Sequence, residues 1–415
     1  MKGHSDAPQP PLTAIVIVAK GSISALGHHP EMIAAAYDQG GSRLSPSVPG
    51  LDVPAGPLAT ASEACLAQFV GHRSHYLALD RAVKQALFAT EQVVQTVRWT
   101  GQERLGVAVG SSRGATGLWE FFFRQYLEGG EQRTHTLASP TTTLGNLASW
   151  VAQHAGAHGP AIEMSSTCST SIGAIGTAMA WLRSGMADRF IAGGAEAPLT
   201  RFTVAQMQAL RIYARSEPHD RPPCRPCATG AGRSNTMVLG EGACLVALEQ
   251  WSARQLRDSV CLGVVLGAGF SVEPITTNTA LSEEGMALRL SMQRALEDAR
   301  LARVDAVVTH SPGTALGDRA ELNALRSVFG DQLPVLTSNK WILGHALGAS
   351  GALSLEYALH ILRRQRWVEY PYPVPFTNRP GPIKTVMVNS IGFGGNAASL
   401  IVGLPTAEGL PAAGG

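Results

Sequence analysis

The sequence predicts an α/β protein built from two similar halves. Three observations carry that expectation. Short apolar runs alternate with helix-like segments along the whole chain. A length of 415 residues suits two packed halves better than one core. Each half opens on a strand that ends in glycine, at 15–21 and again at 260–269, which hints at duplication.

Taken in order, apolar runs bounded by glycine or charge predict buried strands over 13–19, 105–110, 189–193 and 244–249. The same pattern predicts strands over 260–267, 306–309, 335–338 and 385–389. Helices are expected between them, including 284–298 and 347–362. The clearest helix follows Cys168, where Ile172, Ile175, Met179 and Leu182 recur at helical spacing and Gly185 occupies the place of a C-terminal cap. It would run about 24 Å at ~1.5 Å per residue. The proline-rich segment 211–233 reads as a long loop, because strand-like sequence resumes at Val238. The seam between halves falls near 251–258. The first twelve residues and the tail from Leu404 are expected to be loose.

Composition narrows the function. Apolar residues make up 45% of the chain and charged residues 15%, a balance that suits a large core and surface covered by a partner subunit. A formal net charge of +2 argues against nucleic acid or an anionic membrane as main partner. No apolar run approaches the ~20 residues that cross a bilayer, and the N-terminal stretch lacks the long apolar core of a secretory signal. Six scattered cysteines point to a reduced, cytoplasmic compartment.

Four segments carry chemistry. Cys168 lies at or near a helix N-terminus, where the helix dipole and backbone N–H groups favour thiolate and lower a thiol pKa. His310 follows an apolar strand and opens His310-Ser311-Pro312-Gly313-Thr314, a loop expected to leave the ring exposed to substrate. His345 stands in Ser338-Asn339-Lys340-Trp341-Ile342-Leu343-Gly344-His345-Ala346-Leu347-Gly348-Ala349-Ser350-Gly351, where a histidine heading a helix is held neutral and oriented. The fourth is Asn389-Ser390-Ile391-Gly392-Phe393-Gly394-Gly395-Asn396.

These four motifs, in this order, resemble the β-ketoacyl-acyl-carrier-protein synthases of the thiolase superfamily, elongating type. Ala192-Gly193-Gly194-Ala195-Glu196 and Gly240-Glu241-Gly242-Ala243 are supporting matches, and the resemblance spans residues 13–402. It implies a thiolase-like fold of five α-β-α-β-α layers. Residues 1–252 would form the half with the nucleophile and residues 253–415 the half with both histidines. The activity implied is decarboxylative Claisen condensation of a Cys168-bound acyl group with malonyl-acyl carrier protein, in a specialised fatty-acid or polyketide pathway.

By the same resemblance, His310 and His345 would bind the malonyl thioester carbonyl as oxyanion donors, with Lys340 as electrostatic support. The backbone N–H groups of Cys168 and Phe393 would form the oxyanion hole of acyl transfer, and Phe393 would gate the floor of the site. Thr314, Gly392, Gly394 and Gly395 would meet substrate, and Arg211 would dock the carrier protein. No cofactor is implied beyond the phosphopantetheine arm that the carrier delivers, and no metal. The chain would pair as a homodimer or as a heterodimer with a related ketosynthase-fold subunit. The rival reading is a chain-length-type partner subunit that shapes the tunnel of an active sister.

The chain departs from the family pattern at Ser311 and Pro312, where glycine and threonine are usual. It departs again at Ser354, where an acid is usual although Glu356 is close, and in Ala231-Gly232-Arg233-Ser234-Asn235, which replaces an Asp-Arg-Asp-Gly stretch. The segment 370–382 is also shorter than usual. Other patterns weigh less. Gly110-Ser111-Ser112-Arg113-Gly114 fits a hydrolase G-x-S-x-G, yet the family has a Gly/Ser-rich turn there. Cys224 and Cys227, with His219 upstream, form a C-x-x-C lacking the second pair of a zinc site. Gly267-Ala268-Gly269 lacks the third glycine of a dinucleotide loop. Arg211, Arg215, Arg221, Arg225 and Arg233 form a basic loop, read equally as solvated surface or as a dock.

Overall fold

The computed structural model describes residues 13–100, 104–215, 222–229, 234–274, 281–379 and 381–405. Ten strands run through it: β1 (Thr13–Ser24), β2 (Leu105–Gly110), β3 (Ala161–Met164), β4 (Arg189–Glu196), β5 (Gly242–Ser252), β6 (Gly263–Val272), β7 (Ala306–Val308), β8 (Val335–Thr337), β9 (Thr385–Ile391) and β10 (Asn396–Gly403). Seven helices matter here: α1 (Arg81–Val97), α2 (Asn146–Ala155), α3 (Thr170–Arg183), α4 (Arg201–Ala209), α5 (Met286–Ala299), α6 (Ala315–Phe329) and α7 (Ser350–Arg364).

The hydrogen-bonded strand order is β3-β2-β4-β5-β1-β6-β10-β9-β7-β8. Read outward from the middle, β1, β5, β4, β2 and β3 are answered by β6, β10, β9, β7 and β8. Directions repeat as well. β2 is parallel to β3 and β4 as β7 is to β8 and β9, while β5 and β10 run antiparallel to both their neighbours. Only Ile15–Val265, Val16–Val264 and Ile17–Gly263 join β1 to β6. Each five-stranded unit therefore follows the succession β-α-β-α-β-α-β-β, with α4 inserted before the last strand of the first unit.

Helices fill three layers around these two sheets. α1 and α2 cover one outer face, and α5 and α6 the other. Between the sheets lie α3 and α7, which touch each other and strands of both units. The result is an α-β-α-β-α stack. The central layer is deeply buried: α7 buries twelve of its fifteen residues, among them Leu353, Tyr357 and Leu362. Gly267 and Gly269 belong to this design as members of β6, not of a nucleotide loop. A Cβ at Gly269 would lie 2.0 Å from the Ser291 carbonyl, so glycine lets α5 approach the sheet.

The helix after Cys168 ends as its sequence predicts. Gly185, at φ +69°, donates to the Leu182 carbonyl while Met186 donates to Trp181, the two bonds of a Schellman motif. Ile172, Ile175, Met179 and Leu182 face the core, and each contributes about 1.5–3 kcal/mol by burial. Two strands, β3 and β10, were not expected from sequence, and β1 runs five residues beyond the predicted 13–19. The predicted 347–362 helix divides into a 3-10 turn at Leu347–Ala349 and α7.

Candidate active site

Four chain segments converge at the C-terminal ends of β3, β8, β7 and β9. That is where open α/β sheets gather their functional loops. β3 delivers the turn 165–169, β7 delivers His310, β8 leads to Lys340 and His345, and β9 ends at the Gly392–Gly395 turn. Cys168, His310, His345, Thr314, Gly392 and Phe393 line one cavity of about 520 Å³, walled by apolar side chains that include Met207, Leu210 and Leu316.

Cys168 lies two residues before α3, whose N-cap is Ser169. The turn is held tightly: Thr167 takes φ +54°, unusual for a β-branched residue. Its hydroxyl donates to the Phe393 carbonyl at 3.2 Å, and Ser390 donates to the Cys168 carbonyl at 2.7 Å. A Cβ on Gly392 would fall 2.6 Å from the Cys168 nitrogen, so only glycine permits this contact between the two loops. Gly394 and Gly395 take φ +84° and +71°, which turns the chain back into β10.

His345 Nε2 lies 3.3 Å from Cys168 Sγ, and its Nδ1 lies 2.8 Å from Ser350 Oγ at the start of α7. A hydroxyl either donates or accepts. The same pair is therefore compatible with a His345 that accepts a proton at Nε2 and with one that offers N–H there. The His310 ring meets His345 edge-on, with centroids 5.2 Å apart at 82°. His310 is pinned through its backbone: Glu321 on α6 accepts from the amides of His310 (2.9 Å) and Ser311 (2.6 Å), from the Ser311 hydroxyl and from Asn389 Nδ2. Lys340 Nζ donates to the Thr309 carbonyl at 3.4 Å.

Three expectations are corrected. His310 is not exposed: it retains 5% of its surface, because the segment with Cys224 and Cys227 covers its loop. His345 also does not head a helix; it sits in the turn after Leu343, preceded by Gly344 at φ +86°. The thiol shift runs opposite to that expected from the helix terminus. Burial pushes Cys168 up to about 12 and the Glu196 carboxylate adds to this, while Lys340 and the backbone oppose it. Burial, then the Lys340 charge, holds His345 well below its usual value, and His310 likewise with His345 added. Burial lowers Lys340 to about 8, opposed first by Glu321. At neutral pH the site thus holds a thiol beside an unprotonated imidazole.

Phe393 is 40% exposed and stands at the wall of the cavity, not at a buried floor. Arg211 is exposed at φ +57°, next to the lining residues Leu210 and Ile212. Ser354 bonds Asn339, while Glu356 is engaged by Lys20 and Ser22, so Glu356 does not replace the acid of the family pattern. The G-x-S-x-G turn is structural here: the Ser111 hydroxyl and the amides of Ser112 and Arg113 all donate to buried Glu196, which also accepts from Gly348. Cys224 and Cys227 are buried, and no metal-holding group of three or more His, Cys, Asp or Glu occurs among the described residues. His219, Arg221, Arg233 and the first residues of the replaced stretch lie outside the described residues. Sequence reasoning missed Glu321, Ser350 and Asn235. Ser350 stood within a quoted motif, but no local pattern marks Glu321, eleven residues beyond His310.

A five-layer α/β stack with a Cys-His-His cavity at its strand ends defines a condensing-enzyme class, and the sequence agrees. The chain belongs to the beta-ketoacyl synthase family: residues 17–254 match the family model for the N-terminal domain and residues 262–370 that for the C-terminal domain. Among curated relatives it is similar to 3-oxoacyl-[acyl-carrier-protein] synthase 2 of Staphylococcus aureus, 28% identical over 342 residues, covering 78% of this chain and 84% of that protein. Its fold is similar to a beta-ketoacyl synthase from Burkholderia phymatum STM815 (TM-score 0.80, 28% identity, 95% of this chain and 100% of that one). It is also similar to a ketosynthase solved with its type II PKS acyl-carrier protein and a hexaketide (TM-score 0.83, 22% identity, 96% and 100%).

Proposed function

We propose that this ketosynthase joins an acyl group on Cys168 to malonyl-acyl carrier protein by decarboxylative Claisen condensation, in a specialised fatty-acid or polyketide pathway. The observation that carries the reading is the 3.3 Å approach of His345 Nε2 to Cys168 Sγ beside His310, all facing one cavity.

In the first half-reaction, His345 takes the Cys168 proton as sulfur attacks the acyl thioester. The proton then passes to the departing pantetheine thiolate, leaving an acyl-cysteine and a neutral imidazole. The backbone N–H groups of Cys168 and Phe393 serve as the oxyanion hole; the close apposition of Gly392 to the Cys168 amide supports this. In the second, malonyl-carrier protein loses carbon dioxide while His310 and His345 offer N–H to the thioester oxygen, where negative charge develops. The enolate carbon attacks the Cys168 thioester, forming the new C–C bond and releasing Cys168 as a thiolate, which takes up a proton from solvent to restore the thiol. Burial, aided by the charge of Lys340, keeps both imidazoles uncharged.

The phosphopantetheine arm arrives on the carrier protein as substrate, past Thr314 and beside Gly392, Gly394 and Gly395, with Arg211 at the dock. Pairing with a second ketosynthase-fold subunit is supported by exposed Trp119, Phe121, Phe123 and Leu127 on the Thr116–Gly129 helix, which follows β2, the partner of edge strand β3. The nucleophile-bearing half is taken as residues 1–252 and the histidine-bearing half as 253–415, the boundary falling where β5 ends. No helix among the described residues is long and apolar enough to cross a membrane, and a cytoplasmic site of action alongside the carrier protein is proposed. The grouping of Cys168 with both histidines speaks against a chain-length-type partner subunit, which needs no nucleophile. Incubation with acyl- and malonyl-carrier proteins should give a β-ketoacyl-carrier product by mass. Carbon dioxide release or acyl binding without that product would overturn the reading.

A further inference from the structure

Asn235 ends the stretch that departs from the family pattern, and it joins two walls of the cavity. Its Nδ2 donates to the Arg211 carbonyl at 2.8 Å, and its Oδ1 accepts from the Ala315 amide at 2.8 Å. One wall, with Met207, Leu210 and Ile212, turns at Arg211; the other, with Thr314, Ala315 and Leu316, begins α6. Asn235 itself lines the cavity. Its neighbour Thr236 runs the same course, bonding the Gly313 carbonyl through both its amide (2.8 Å) and its hydroxyl (3.1 Å).

Thr314 occupies the N-cap of α6 with φ −95° and ψ 135°, yet its side chain makes no capping bond. A threonine in that position ordinarily turns its hydroxyl onto the second or third helical amide. Thr200 does so at the start of α4 in this same molecule, accepting from Thr203. At α6 the first amide is met from outside by Asn235, and Thr314 lines the cavity. The amide side chain fills both bonds of this tie at once, donating through Nδ2 and accepting through Oδ1. An ionised aspartate accepts only and would face the Arg211 carbonyl with a lone pair.

We infer that Asn235 is a positioning residue for the substrate's carrier arm: it ties the Arg211 turn to the head of α6, fixes the width of the cavity mouth, and leaves the Thr314 hydroxyl to the arm. This rests on the ketosynthase reading above, and the following test separates the two. Cys168 is alkylated either by iodoacetamide, which needs no arm contacts, or by a haloacetamide carried on pantetheine. The wild-type protein should favour the pantetheine reagent at low concentration. In Asn235→Ala that advantage should fall about 3–10-fold, the effect of losing two partly solvated hydrogen bonds, with the iodoacetamide rate unchanged. Asn235→Asp, which retains the bond to Ala315, should fall between. Thr314→Val should abolish most of the advantage, and adding Asn235→Ala to it should change little further, because the two act through one hydroxyl. An undiminished advantage in Asn235→Ala overturns the inference, as do equal losses with both reagents or effects of the two variants that multiply. A wild-type protein indifferent to the pantetheine arm would instead defeat the ketosynthase reading itself.

Discussion

Replacing His345 by alanine separates the two histidines more sharply than their shared position suggests. With the Cys168 thiol pushed up to about 12, the thiolate fraction at pH 7 is about 10⁻⁵. Acyl loading therefore depends on a base, and His345 Nε2 at 3.3 Å is the group placed to supply it. Loss of a general base lowers such a step by roughly 10²–10⁴. His345→Ala should accordingly lose loading by that factor at pH 7, and the residual rate should rise tenfold per pH unit, since only pre-formed thiolate then attacks. The wild-type rate should be flat through neutrality. Its acid limb should lie below pH 6.5, because a depressed imidazole pKa keeps the base unprotonated to lower pH. His310→Ala, which removes no contact to sulfur, should load within a few-fold of wild type while decarboxylation falls by roughly 10²–10³. Single-turnover transfer from radiolabelled acyl-carrier protein, followed from pH 5 to 10 beside carbon dioxide release, reads all of this. A His345→Ala protein that loads normally at pH 7 would refute the reasoning.

Other perturbations test neighbouring parts. Lys340→Met removes a charge that lowers both imidazole pKa values, so the acid limb of loading should move to higher pH. Retention of the wild-type pH profile would remove Lys340 from the electrostatic role. Gly392→Ala places a methyl 2.6 Å from the Cys168 amide; loading should fall about 10²-fold, as expected for a displacement near 1 Å, and an unaffected loading rate would deny the contact. Arg211→Glu should raise the KM for carrier protein more than it lowers kcat, with the difference shrinking as salt screens exposed charge over ~8 Å. Unchanged carrier affinity would place the dock elsewhere.

Local sequence carried the parts of this fold that local rules determine. The helical spacing from Ile172 to Leu182 and Gly185 at the cap produced α3, and LGVAVG produced β2 to the residue. β3 escaped because it is a four-residue edge strand with a charge inside it; Glu163 accepts from the amides of Gly145 and Leu147 at the start of α2, a long-range role. The motifs marked which residues meet at the cavity. What they could not show was how deeply the residues lie. A helix N-terminus near Cys168 favours thiolate, but burial among Met207, Met237 and Leu347 outweighs it, and only the folded chain displays that environment. His310 was read as exposed for the same reason, since its cover comes from Cys224 and Cys227, more than eighty residues away. Asn235 was visible as a departure from a pattern. Its two bonds reach residues 24 and 80 positions distant, which no local reading anticipates.

The central claim is that Cys168 carries the acyl group that is then elongated. The most direct measurement is peptide mapping by mass spectrometry after the protein meets acyl-carrier protein alone, repeated after malonyl-carrier protein is added. The account predicts the acyl mass on the Cys168 peptide and on no other cysteine, followed by its disappearance as β-ketoacyl-carrier protein forms at equal stoichiometry. Acylation at half-buried Cys65, or a Cys168 acyl group that persists while malonyl-carrier protein is consumed, would contradict it.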